Sequence, residues 1–225
     1  MTGSPVSAAN AADADTGRRA NAQPTMSVRE LAHRINNMLA VVQAVVSQTA
    51  RASTDPAVFV DAVSARIAAM AAANRSLLTG EWDGADLETL VRQELQTQGA
   101  PAARLSLNGP RTPLPPRDVV AFALVIHELA TNAVKFGALS GARGSVALDW
   151  SVAAEDGSGG DNGAGDGGDG RARLSLVWRE SGGPPVKEPT RKGFGSLLLE
   201  RGIDDCKVER DFRPDGLVCR IVLPL

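Results

Sequence analysis

The chain contains no tyrosine, only two histidines and only two cysteines. Cys206 and Cys219 are too few for a disulfide framework and suit a reducing cytosol. With so few histidines a zinc site would have to gather distant ligands, which sets that chemistry aside. Aromatics are sparse, no basic run occurs, and Lys and Arg are scattered among a similar number of acids. Such a chain carries no footprint for nucleic acid. No apolar stretch reads as long enough to span a bilayer, and the N-terminus lacks the apolar core of a signal peptide. The expectation is a cytoplasmic protein without membrane insertion.

What is present divides by period. The length of 225 residues suits one or two domains. Residues 1–25 are rich in Ala, Asn, Asp, Gly and Thr without periodicity, and are expected to be a disordered tail. Ser27-Val28-Arg29-Glu30 has the form of a capping box. Behind it Val28, Leu31, Ile35, Met38, Val42 and Val45 recur in alternating steps of three and four, the seam of a bundle. Asp55-Pro56 is a second start signal, an N-cap followed by proline in the first helical position. Val60, Val63, Ile67, Met70 and Leu77 repeat the spacing, and Gly80 with Asp83-Gly84 closes the segment. The expectation for residues 26–82 is therefore a helical hairpin. Its narrow seam is buried best when two hairpins form a four-helix bundle, so a homodimer follows. His33 falls off the seam, pointing to solvent with Asn37 on its side. Spacing alone leaves it as ordinary surface or as a nucleophile that another domain must reach.

Residues 83–225 read as mixed α and β. Helix is expected from Asp86 to Gln98 and a short strand from Arg104 to Leu107. A Pro-rich turn leads to a long helix from about Pro116. Val146, Leu148, Trp150 and Val152 alternate in one strand, and Leu174, Leu176 and Trp178 in the next. Residues 155–170 are Gly and Asp with almost no apolar member, a flexible insertion at a hairpin tip. Phe194 to Asp205 is expected as helix. Lys207 to Phe212 and Leu217 to Leu223 are expected to pair across Pro214-Asp215-Gly216. About five strands with three helices make a two-layer α/β sandwich.

Two places in this second part carry chemistry. On the long helix Glu128, Asn132 and Lys135 fall at i, i+4 and i+7 and line one stripe. A carboxylate, an amide and an ammonium on a buried helix are costly unless something satisfies them. A phosphate chain with a divalent cation would do so, with Asn132 offering a hard oxygen to the metal and Glu128 accepting a proton or holding a water. A satisfied polar network within the protein would do so equally. The second place is Trp178-Arg179-Glu180-Ser181-Gly182-Gly183-Pro184-Pro185, where a strand gives way to a loop. Glu180 keeps step with Trp178 and would enter the space between the layers, where it could accept from an exocyclic amine such as that of adenine. Gly182 and Gly183 would let the backbone approach a flat ring. Residues 184–192 can serve as a lid. Gly193-Phe194-Gly195-Ser196 then opens a helix, a frame for amides to meet phosphate. Asp161-Asn162-Gly163-Ala164-Gly165 also has the form of an adenine-binding Asp-x-Gly-x-Gly box. It lies in the low-complexity insertion with no strand before it, and is an accident of composition.

Taken together these segments resemble the HWE family of bacterial histidine kinases. His127 matches the family's His, Trp178-Arg179-Glu180 its Trp-x-Glu, and Gly193-Phe194-Gly195 its second glycine box. Glu30-Leu31-Ala32-His33-Arg34-Ile35-Asn36-Asn37-Met38-Leu39-Ala40 resembles the phosphoacceptor box. The resemblance covers residues 28–225. It implies a dimerisation and phosphotransfer hairpin followed by a Bergerat-type ATP-binding domain. By position it gives His33 as the phosphorylation site, Asn132 to Mg²⁺, Glu180 to adenine, Lys135 to phosphate, and Glu128 as base or metal-side carboxylate. His127 receives no chemical role from it beyond fixing Glu128 or the lid. The implied activity is transfer of the ATP γ-phosphoryl group to His33 and onward to a response-regulator aspartate in a receiver domain. No sensor domain is visible, so either a separate sensor protein supplies the signal or the chain is a phosphotransferase relaying phosphate without its own ATP chemistry.

Overall fold

Capping and alternation place the regular elements. A computed structural model of the protein describes residues 28–79, 85–154, 172–186 and 205–225. The expected tail, the Gly/Asp-rich insertion, the helix from Phe194, and Gly193 and Gly195 lie outside the described residues. The chain forms two units, residues 1–40 and residues 41–225.

In the first unit helix α1 begins at Val28. Ile35, Met38 and Leu39 are exposed on it. The orientation expected for the His33 side chain lies outside what the structure describes.

In the second unit α1 runs on to Ala52, and α2 spans Pro56–Thr79. The start of α2 is set as its sequence implies. Asp55 Oδ1 accepts from the backbone amides of Ala57 at 2.8 Å and Val58 at 3.4 Å, so two of the helix's orphan donors are satisfied. The expected seam is only partly realised. Met70 is buried, but Val60 and Ile67 are exposed. The buried face of α2 is Ala69, Met70 and Ala73, with Arg66 one turn earlier, and it packs against helix α4 (Pro116–Lys135). Small side chains at i and i+4, Ala69 and Ala73, let the two helices approach closely, which a search for large apolar residues overlooks.

α2 also corrects the membrane expectation. Its Pro56–Arg75 stretch is long and apolar enough to cross a bilayer by length and composition. In this fold it packs on protein through Ala69, Met70 and Ala73, and Arg66 at its middle is hydrogen-bonded to α4. Much of the rest of that stretch, including Val58, Val60 and Ile67, is exposed.

A two-stranded ribbon of β1 (Ala85–Asp86) and β3 (Pro113–Leu114) lies beside α3 (Leu87–Thr97), which Asp86 caps through the amide of Thr89 at 3.2 Å. This ribbon was not foreseen; strands this short have no period to read. The main sheet has the order β2-β4-β5-β7-β6, from β2 (Leu105–Asn108), β4 (Ser145–Ala154), β5 (Ala172–Ser181), β6 (Lys207–Arg213) and β7 (Gly216–Pro224). β2 runs parallel to β4 and every other pair is antiparallel. Register sets Val146 opposite Glu180, Leu148 opposite Trp178 and Trp150 opposite Leu176. One face of the sheet thus becomes a continuous apolar surface sharing one core with α3 and α4. Val152 keeps the alternation but is exposed. The result is a two-layer α/β sandwich.

Candidate functional site

Helix α4 is buried from Ala121 to His127 and again at Leu129, Ala130 and Ala133. The remaining stripe is its open side. Asn132 and Lys135 are exposed, and Glu128 and Thr131 are half-buried. The expectation of a costly buried stripe is corrected here: these polar groups lie on the helix face that the core leaves free. Asn132 and Lys135 need no occupant to be tolerated there.

Glu128 has a partner of a kind the sequence did not disclose. Arg66 of α2 grips its carboxylate with both arms, Nε to Oε1 at 2.8 Å and Nη2 to Oε2 at 3.1 Å. A third nitrogen of Arg66 donates to Thr49 Oγ1 at 3.0 Å, and that hydroxyl donates to the carbonyl of Val45 at 2.6 Å. The pair is largely shielded from water, with side chains 16% and 14% exposed. Bidentate geometry with shielding makes this a firm ion pair rather than a casual surface contact.

His127 faces the opposite way from Glu128. Its Nδ1 lies 2.7 Å from Glu94 Oε1 of α3, and the amide of Gln98 donates to the same oxygen at 3.0 Å. Glu94 and His127 are both buried. His127 thus ties α4 to α3; most of the lid it was also expected to fix lies outside the described residues. A signal was available, since Glu94 sits among Leu87, Leu90, Val91 and Leu95 on the apolar face of its helix. A carboxylate there requires a donor from the next layer.

Glu180 enters the space between the layers as expected, and it is buried. Both of its oxygens already accept bonds from the chain. Trp178 Nε1 donates to Oε1 at 3.1 Å, and the backbone amide of Ala138 donates to Oε2 at 2.9 Å. Burial pushes the carboxyl above its ordinary range, opposed by the hydrogen bonds from Ala138 and Trp178. Gly137 makes this approach possible, because a Cβ there would overlap Oε2 of Glu180. Gly183 presses on the same loop: its own Cβ would overlap the Cα of Ala138. Within the chain the missing side chain of Gly183 serves approach to Ala138. Gly182 turns the chain with φ +69°.

The loop after α4 is held from a further side. Asn132 O accepts from the amides of Phe136 at 2.8 Å and Gly137 at 2.9 Å, which closes the helix. Arg104, immediately before β2, donates through Nη2 to Ala138 O at 2.8 Å and through Nε to Gly144 O. Sequence reading missed Arg104, because its partners are backbone carbonyls that leave no trace in residue type.

The donor set can be tested against a nucleotide with Mg²⁺. The described residues hold no group of three or more His, Cys, Asp or Glu placed to bind a metal. A magnesium ion held chiefly by phosphate oxygens and water needs only one or two protein oxygens. Asn132 Oδ1 is free to solvent, and Thr131 Oγ1 is buried without a hydrogen-bond partner among the described residues. Glu128 fits only if Arg66 releases it. The residues accommodate such a group, with Asn132 as the available ligand.

The HWE histidine kinase family model matches residues 30–111. A blue-light-activated histidine kinase of Brucella anthropi is 34% identical over 221 residues, covering 95% of this chain and 42% of its own. Blue-light-activated histidine kinase 1 of Erythrobacter litoralis is 37% identical over 219 residues, covering 92% of this chain and 55% of its own. The chain thus spans about half the length of these relatives. Among solved structures, the histidine kinase domain of an Erythrobacter litoralis blue-light activated histidine kinase superposes with a TM-score of 0.53 at 14% identity, covering 88% of this chain and 91% of that one. The longer structure of that kinase gives a TM-score of 0.57 at 15% identity, with 88% and 59% covered. These superpositions bear on the fold.

Proposed function

We propose that this chain, which belongs to the HWE histidine kinase family, transfers the γ-phosphoryl group of ATP to His33 and then to an aspartate of a response-regulator receiver domain. The observation that carries this reading is the open stripe of α4. Asn132 and Lys135 stand exposed beside the loop that Glu180 and Gly183 pack against, in a chain whose α1 carries His33 in a segment that resembles a phosphoacceptor box.

Asn132 would hold the Mg²⁺ of a bound nucleotide through its amide oxygen, and Lys135 would meet phosphate oxygens. Bound there, the ion would neutralise charge on the phosphates and hold them for in-line displacement. Glu180 uses two of its four acceptor positions within the chain, and a remaining lone pair can take a hydrogen from the adenine amine. Gly182 borders the same wall, and Gly193 with Gly195 is assigned to phosphate by its motif. The exposed ring of Phe136, 73% accessible, adds a flat apolar surface next to Lys135.

In the transfer step an imidazole nitrogen of His33 forms a bond to the γ-phosphorus, the bond from that phosphorus to the bridging oxygen breaks, and ADP leaves. The imidazole N–H proton departs to a base. Glu128 is the candidate base, and it must first give up Arg66. Productive geometry therefore requires α2 and α4 to shift against each other, consistent with an ATP-binding domain that moves to meet its histidine.

The domain reading that accompanies this is a phosphotransfer hairpin over residues 26–82 and an ATP-binding domain over residues 83–225. A homodimer is supported by apolar side chains left exposed: Ile35, Met38 and Leu39 in the first unit, and Val46, Val58, Val60 and Ile67 in the second. The signal comes from a separate sensor or from a sensory segment of a longer chain, and the kinase works in the cytoplasm.

The test is incubation of the purified protein with γ-labelled ATP and Mg²⁺, beside His33→Ala and Asn132→Ala. Acid-labile, base-stable label that disappears in both variants is the expected result. Absence of label in the unaltered protein, together with absence of nucleotide binding, would replace the kinase by a relay phosphotransferase.

A further inference from the structure

We infer that the Ala138 peptide is the fixed point of the nucleotide site, and that Arg104 is a positioning residue for nucleotide binding, acting with Glu180 as a two-sided clamp on that peptide. The inference rests on the nucleotide reading above. It adds a residue that lies outside the signature motifs.

The geometry is specific. Ala138 offers one donor and one acceptor on its backbone, and each is taken by a side chain from a different segment, one on β5 and one just before β2. Glu180 of β5 accepts from its N–H at 2.9 Å. Arg104, immediately before β2, donates to its carbonyl at 2.8 Å and to the carbonyl of Gly144 with another nitrogen. Bonds in which one partner is ionised are shorter and about twice as strong as neutral ones. The guanidinium fork spans two carbonyls of one loop, which a single ammonium cannot do. Gly137 and Gly183 leave no room between the loop and its neighbours, so the peptide is confined by packing as well as by bonding. Trp178 fixes the other oxygen of Glu180.

This peptide follows directly on the C-terminal turn of α4. That turn carries Asn132, whose carbonyl closes the helix through Phe136 and Gly137, and Lys135. Fixing Ala138 therefore fixes where the helix ends, and with it the two side chains assigned to metal and phosphate. A side chain is useful to a nucleotide only when held near its productive position, which depends on such supporting contacts. Arg104 touches no nucleotide in this account. It acts through the loop.

The experiment uses the full chain and Mg·ADP as the probe. Dissociation constants for the unaltered protein, Arg104→Lys, Arg104→Gln, Glu180→Gln and the double variant R104K/E180Q are measured by calorimetry. They are taken at a temperature where thermal melts show every protein fully folded. Exchange of the Ala138 amide proton is followed by NMR in the same samples. Arg104→Lys and Arg104→Gln are expected to weaken Mg·ADP about tenfold, the effect of losing one charge-assisted bond. Exchange at Ala138 speeds up while amides in β4 and β7 keep their protection. The double variant is expected to be little worse than the worse single one, because both residues hold one peptide. Two folding-competent Arg104 variants guard against loss of either one. Binding within twofold of the unaltered protein, with the Ala138 amide released, would overturn the inference and leave the nucleotide reading intact. Failure of the unaltered protein to bind Mg·ADP would instead overturn that reading and this inference with it.

Discussion

The signature residues and the stripe residues of this molecule behave in opposite ways. His127, Trp178 and Glu180 are buried and engaged with their own chain: His127 with Glu94, Trp178 with Glu180, and Glu180 with Ala138. Asn132 and Lys135 are exposed. Glu128 stands between, half-buried and held by Arg66. Burial with satisfied hydrogen bonds fixes a framework, whereas open donors and acceptors are what a ligand can use. His127, Trp178 and Glu180 thus help set α3, α4 and β5 within the chain, while the proposed ligand contacts Asn132 and Lys135 are open.

Asn132→Ala breaks the comparison most sharply. An exposed amide contributes little to folding, so the melting temperature should stay within the range of ordinary surface substitutions, about 0.5 kcal/mol in stability. Label incorporation from γ-labelled ATP should fall by at least about a hundredfold, the scale on which removal of one charge-positioning group acts. Thermal melts beside a labelling time course decide it. Retained labelling would mean that Asn132 is merely an exposed side chain.

His127→Ala should do the reverse, and affect folding first. It leaves Glu94 as a buried carboxylate held by Gln98 and opens a cavity between α3 and α4. Loss of about 3 kcal/mol in denaturant unfolding is expected, the cost of stripping one partner from a buried pair. Substrate affinity of the fraction still folded should change far less than in the Asn132 variant. A stability change under about 0.5 kcal/mol would show that the α3–α4 tie is not what the residue supplies.

Much of this framework was legible in the sequence, and the reason is locality. The start of α2 at Asp55-Pro56, the start of α4 at Pro116, and the alternation carrying Glu180 to the buried face of β5 are written in consecutive residues. What was not legible depends on partners. Ala69, Met70 and Ala73 form a helix-packing face, yet alanines look neutral until α4 lies against them. Arg104 reads as one more surface cation until its carbonyl acceptors are brought near by the parallel β2–β4 pairing. Val152 follows the strand's period faithfully and is exposed all the same, because period reports which face a residue takes and not how far the covering layer extends.

Arg66→Ala sharpens the boundary case. The bidentate pair with Glu128 is shielded, so its loss should cost about 1 kcal/mol in stability. It also frees the carboxylate assigned to the proton of His33. If the pair holds the site in a resting arrangement, the initial rate of labelling rises several-fold although the protein is less stable, and Glu128→Gln removes that gain. A fall in rate parallel to the fall in stability would show that Arg66 supports the active arrangement instead. Opposite signs for stability and rate are the outcome a simple loss of structure cannot produce.

The smallest effect concerns a group outside both sets. Cys206 precedes β6 and is half-buried; burial above all, with the nearby charges of Asp118 and Cys219, pushes its thiol from 9.0 to about 11. The neutral thiol is the form the fold favours, since its folded value lies above its unfolded one. Its contribution to stability is therefore complete below pH 9 and is lost as pH rises from 9 through about 11. Two pH units lower the thiolate fraction about a hundredfold at pH 8 relative to an unperturbed thiol. Iodoacetamide labelling at pH 8, followed by mass spectrometry of the native and the urea-unfolded protein, should be slower at Cys206 by about that factor in the native state. Phosphoryl transfer should not change when Cys206 is replaced by Ser, because the thiol touches neither the stripe nor the clamp. Equal labelling rates in the two states would mean that the start of β6 opens freely, and the framework would then end at β7, not at the edge of the sheet.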